Sequence, residues 1–104
     1  MAYRLIITDE GDEKTLHQVN YLFNVKCNPK AAKHLLDEID KIYDLIEENP
    51  YQFEPARDRY LEIMGYHEAI IPGMEYKVLF RIEDDIAYVV GTFHDKEDYV
   101  KKLR

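Results

Sequence analysis

The sequence predicts an α+β fold of order β-α-α-β-β-β, with a helical hairpin packed on a small antiparallel sheet. Three observations predict it. Ala32, Leu35, Leu36, Ile39, Ile42, Tyr43 and Ile46 form an apolar stripe at i, i+3, i+4, i+7 spacing. Residues 66–71, 76–82 and 86–93 are β-like runs separated by the turn formers PGME and EDD, as in an antiparallel meander. At the front, YRLIITDE (residues 3–10) is rich in β-branched and aromatic side chains and reads as a first strand. The hairpin must bury its stripe and the sheet offers the matching face, so two layers result.

Each element has its own warrant. After the first strand, Asp12 is the expected N-cap of a helix whose apolar positions are Leu16, Val19, Leu22 and Phe23. CNP (residues 27–29) stops that helix, because the residue before a proline avoids the α region. Asn28 then caps the second helix, with Pro29 at its first position. The outer face of that helix carries Lys33, Asp37, Glu38, Asp40, Lys41, Asp44, Glu47 and Glu48, and ENP ends it. Residues 51–65 have weak periodicity and read as a surface loop with at most a helical turn. The tail DKEDYVKKLR is compatible with a short final helix.

The 104 residues suit one domain, which buries roughly two thirds of the surface of its unfolded chain. With 46% hydrophobic residues it can form a core without staples. Its single cysteine, Cys27, excludes an internal disulfide and a cysteine-based zinc site. No apolar run approaches the ~20 residues of a membrane span, and the start lacks the pattern of a signal peptide. A cytoplasmic location is expected, with no membrane partner. The formal net charge is −7, from 14 Lys+Arg against 21 Asp+Glu, which argues against a protein that binds nucleic acid through overall charge.

Three stretches carry a family resemblance over nearly the whole chain. NPKAAKHLLDEIDKIYDLIEENPYQF is similar to the second helix of the RelE/ParE superfamily of bacterial type II toxins, with its leading Pro-x-Ala-Ala. GYHEAIIPGMEYKVLFRI resembles that family's Gly-Tyr-Arg stretch followed by Tyr-Arg-Val-x-Tyr-Arg. VVGTFHDKEDY resembles its final strand running into His-x-Arg-x-Asp-Tyr. His67 and Lys77 stand where the family often has arginine, Gly91 does so on the last strand, and Lys96 holds the arginine place of His-x-Arg.

The resemblance implies a toxin neutralised by a cognate antitoxin; the expected action is ribosome-dependent mRNA cleavage of the RelE kind, because a histidine and a tyrosine stand at family-like positions, and the two others below are the alternatives. RelE-like members are metal-independent, ribosome-dependent mRNA endonucleases (mRNA interferases). ParE-like members are non-enzymatic inhibitors of DNA gyrase. A weakened toxin retained as an antitoxin-binding module is the third possibility.

Metal-independent RNA cleavage needs a base, an acid and a cation near one phosphate. His94, with an ordinary pKa near 6.5, suits acid or base work, and His67 is a second candidate. Lys77 and Arg81 alternate on one strand and share a face, and Tyr99 could stack on a base. No cofactor or metal is expected. The same residues have plain structural readings: Lys77 and Arg81 as a solvated strand face, His94 as the polar end of a strand, Tyr99 as terminal packing. His17 and His34 read as solvated helix positions, and Cys27 as incidental.

Overall fold

A computed structural model of the chain describes residues 3–97 together with Lys101 and Leu103. Its elements are β1 (Arg4–Ile7), α1 (Asp9–Asn20), a π turn (Tyr21–Val25), α2 (Pro29–Glu48), a 3-10 turn (Pro50–Gln52), β2 (Glu54–Pro55), α3 (Arg59–Ile63), β3 (Tyr66–Ile70), β4 (Tyr76–Glu83) and β5 (Ile86–His94). The expected two-layer α+β architecture is present. The five strands lie in the order β1-β5-β4-β3-β2.

The β3–β4–β5 meander is antiparallel, as expected. However, β1 lies parallel to β5, with Arg4 opposite Ile86 and Ile7 opposite Val89, so the sheet is mixed. The reason is geometric: Thr8 alone joins β1 to α1, so α1 must turn back over the strand beside β1, which is β5.

Thr8, not Asp12, caps α1. Its hydroxyl accepts from Gly11 N at 2.9 Å, which ends the strand at Ile7 and starts the helix at Asp9. Asp9, Glu10 and Asp12 then sit in the first turn, where the helix dipole favours negative charge.

The buried face of α1 also differs from the expected one. Gly11, Thr15 and Gln18 are buried, whereas Leu16 is 50% exposed and Phe23 55%. Val19 and Leu22 reach the core only partly. Gly11 lets the helix backbone come close: a Cβ there would overlap the Val89 carbonyl oxygen.

The second helix follows its sequence closely, except that Leu36 of the expected stripe is 40% exposed, at the margin of the buried face. Asn28 Oδ1 accepts from Ala31 N at 3.1 Å, and Pro29 begins the first turn. Ala32, Leu35, Ile39, Ile42 and Ile46 are its buried residues. Leu35, Ile39, Ile42 and Ile46 pack with Ala69, Ile71, Tyr76, Val78, Phe80, Ala87 and Val89 of the sheet side. Each large buried side chain contributes about 1.5–3 kcal/mol of hydrophobic stabilisation.

Residues 51–65 hold more structure than a loop. Asp58 Oδ1 accepts from Leu61 N at 3.0 Å and caps α3, whose Leu61 is fully buried. An element of five residues is too short to show a period.

One irregularity matters for the site. Leu79 pairs with Gly91 but Phe80 pairs with Val89, so Val90 is an extra residue in β5. The bulge shifts the phase of the strand. Ala87 and Val89 face the core, and beyond the bulge Thr92 lies opposite Val78 and His94 opposite Tyr76.

The close approach at Gly11 gives a stability prediction. Ala is a better helix former than Gly by about 1 kcal/mol. Overpacking against a backbone carbonyl costs about 1–3 kcal/mol, and no rotamer change can relieve it. Gly11→Ala should therefore lower the thermal midpoint by several degrees, measured by circular dichroism. A higher midpoint would show that α1 is not tightly seated on β5.

Candidate functional site

An open groove of about 930 Å³ lies between the end of α1 and the start of β4. One wall comes from α1 and the π turn through His17, Gln18, Tyr21 and Lys26. The other comes from Met74, Glu75 and Tyr76, and the end of β5 adds His94, Lys96 and Glu97.

His94 is held on several sides. Its ring stands edge-on to Tyr76, with centroids 5.0 Å apart. Lys96 N donates to Nδ1 at 3.1 Å, which leaves the ring proton of the neutral histidine on Nε2. Nε2 lies 3.6 Å from a Glu75 carboxylate oxygen. The His94 backbone N donates to Glu97 Oε1 at 2.7 Å, and Gln18 Nε2 donates to the same oxygen at 2.6 Å. Glu97 therefore ties the end of β5 to α1. Burial pushes the Tyr76 phenol above its ordinary pKa, with smaller contributions from Tyr21 and Glu97, so it remains a hydrogen-bond donor at neutral pH.

The bulge puts the other sequence candidates elsewhere. Lys77 points away from Tyr76, to the opposite sheet face, and is buried. Its ammonium lies 3.4 Å from Glu68 Oε2 and 3.7 Å from Asp95 Oδ1. Glu68 is equally enclosed, and its other oxygen accepts from Arg57 N at 2.8 Å. Arg81 shares the face of Lys77 but donates to Glu83 at 2.8 Å and lies 5.2 Å above the Tyr88 ring.

His67 stacks on Phe80 at 5.7 Å, meets Tyr51 edge-on, and bonds the Phe53 carbonyl through Nδ1 at 3.1 Å. Its strand partner is Phe80, whereas the partner of His94 is Tyr76. At about 3.3 Å per residue and about 4.8 Å per strand, the register puts the two histidines roughly 16 Å apart. Tyr99 lies outside the described residues.

Among the described residues of the expected set, the groove takes only His94. It adds His17, Tyr21, Lys26 and Gln18, which the apolar reading of α1 had left aside. Among the described residues, no group of three or more His, Cys, Asp or Glu side chains could hold a metal ion.

A family model described as "ParE toxin of type II toxin-antitoxin system, parDE" matches residues 5–99. Three solved structures share the fold. The chromosomal ParDE toxin-antitoxin system from P. aeruginosa superposes with a TM-score of 0.71 at 12% identity, covering 89% of this chain and 96% of that one. The toxin-antitoxin complex RelBE2 from Mycobacterium tuberculosis gives 0.60 at 18% identity, over 90% and 99%. An arginine-to-alanine double mutant of the E. coli toxin RelE in its free state gives 0.63 at 13% identity, over 98% and 93%. No curated protein sequence matches the chain significantly.

The enclosure of Lys77 makes its role testable. Breaking a buried pair leaves an uncompensated charge and costs about 3–5 kcal/mol. Lys77→Met should therefore lose about 3 kcal/mol in urea unfolding. The double variant Lys77→Met, Glu68→Gln should recover more than half of that loss. A single-variant loss below about 1 kcal/mol would show that Lys77 is not needed to balance Glu68 and is available for other work.

Proposed function

This chain belongs to the ParE toxin family of type II toxin-antitoxin systems, and from that membership we propose that it arrests growth by binding rather than by catalysis, as a non-enzymatic inhibitor of DNA gyrase. One observation carries the choice: the described residues among those expected for RNA cleavage do not meet. Lys77 is engaged by Glu68 inside the protein. Arg81 lies on that same far face, and His67 is packed among Tyr51, Phe53 and Phe80. His94 faces the opposite side of the sheet, with Tyr76. A phosphorane needs its acid, base and cation within hydrogen-bond reach of one phosphate.

A cognate antitoxin is part of the proposal. The structural neighbours from P. aeruginosa and M. tuberculosis are toxin-antitoxin systems. Here Leu16, Phe23, Val25 and Leu36 leave apolar surface exposed on the helical hairpin, suited to an amphipathic helix of the antitoxin.

Two measurements test the reading together. Purified chain should block supercoiling by DNA gyrase, and adding antitoxin should restore it. Primer extension after induction in a bacterial host should show no new mRNA 5′ ends. New ends in phase with codons would overturn the proposal in favour of ribosome-dependent cleavage. Unchanged supercoiling with normal growth would leave an antitoxin-binding module without toxicity.

A further inference from the structure

We propose that the groove between the π turn and the β4–β5 end binds a nucleoside phosphate, free or as part of a strand, with its base against Tyr21 and its phosphate at Lys26 and Lys96. The inference goes beyond gyrase inhibition and does not depend on it.

The size fits. A groove of about 930 Å³ lies in the range of small-molecule sites. Its wall is also locally irregular. The π turn replaces α geometry over five residues, closing with Lys26 N to Tyr21 O at 3.0 Å and Asn28 N to Leu22 O at 2.9 Å. Cys27 follows in the left-handed region, at φ 50°, which a residue with a Cβ seldom adopts. Such wide turns gather at functional sites. This one puts Tyr21 and Lys26 on the groove, with the ammonium 5.8 Å from the Tyr21 ring centre.

The lining then selects the ligand. Tyr21 and His17 line one side and His94 the other, while Tyr76 is nearly enclosed behind His94. The exposed Tyr21 ring offers a face for a flat ring, at about 1–3 kcal/mol per stacked base. Glu97 accepts from Gln18 and from His94 N, and Glu75 lies 3.6 Å from His94 Nε2, an ion pair only when that ring is protonated. Among the described residues, neither Lys26 nor Lys96 has a carboxylate within 4.0 Å. Two such ammoniums beside an exposed ring match a phosphate carried by a base.

The test is isothermal titration calorimetry on the whole chain at low ionic strength, with AMP, adenosine, inorganic phosphate and a short oligoadenylate. AMP should bind at least about tenfold more tightly than adenosine or phosphate alone. Tyr21→Ala and Lys26→Ala should each weaken AMP about tenfold, while Tyr21→Phe retains it. Lys33→Ala, on the outer face of α2, should change nothing. Tyr21 and Lys26 are both exposed, and thermal melting confirms that the variants fold; if Tyr21→Ala does not, Lys26→Ala gives the same reading. A tighter oligoadenylate would identify a strand as the source, and equal affinity a free nucleotide. Absence of AMP binding, or AMP binding unchanged in the folded variants, would overturn the site. Gyrase supercoiling is measured separately, so failure of one proposal is distinct from failure of the other.

Discussion

The Val89 carbonyl oxygen takes hydrogen bonds from Thr8 N at 3.1 Å and from Thr8 Oγ1 at 3.0 Å, and it occupies the space a side chain on Gly11 would need. From that point a polar seam runs along α1. Thr15 Oγ1 meets Thr92 Oγ1 at 2.9 Å, and Gln18 reaches both the Thr92 carbonyl and Glu97. Each such bond contributes about 1 kcal/mol net, but leaving one of these buried groups unpaired costs about 1–3 kcal/mol. The seam therefore sets the rotation of α1 more sharply than apolar burial would. That rotation turns Leu16 and Phe23 outward and brings His17 and Tyr21 to the groove.

The extra residue in β5 divides the polar chemistry of the sheet. Before Val90, β5 presents Ala87 and Val89 to the core; after it, Thr92 and His94 take that side. Thr92 thereby meets α1, and His94 meets Tyr76 and the groove. Lys77, next to Tyr76 in the chain, faces the other way and balances Glu68 in an enclosed pair. A cation held like this balances a buried carboxylate, which its removal would leave uncompensated. The cations at the groove stand on exposed turns and carry no such duty.

The parts of this arrangement that were legible in the sequence are those set by local chemistry. The α2 stripe, the Asn28-Pro29 start and the three runs of the meander each repeat one signal several times, and all are present. What was not legible depended on partners far away in the chain. Leu16 and Phe23 looked like the buried face of α1 because periodicity ranks residues by hydrophobicity. The contact with β5 selects instead for small and hydrogen-bonding residues, and Gly11, Thr15 and Gln18 at i, i+4, i+7 were the available clue. Thr8 followed by acidic residues was also a readable cap, masked by the β-branched run before it. The parallel pairing of β1 and the bulge at Val90 leave no local mark beyond a glycine at Gly91.

The same dependence explains why the expected site dispersed. Lys77 and Arg81 do share a face, as strand alternation requires, but a shared face is not a shared site. Arg81 is about 13 Å further along β4, where it meets Glu83 and Tyr88. His94 needed the same phase as Lys77 to join them, and one inserted residue reversed it. Catalysis of phosphoryl transfer is sensitive to misplacement of about 1 Å, and Lys77 and Arg81 stand on the sheet face opposite His94. Binding to a large partner has no such demand, since an interface spreads its contacts over many residues of a broad surface. The physical division between an enclosed ion pair behind the sheet and open aromatic and cationic groups in front therefore weighs toward recognition, with the polar seam of α1 holding the recognising wall in place.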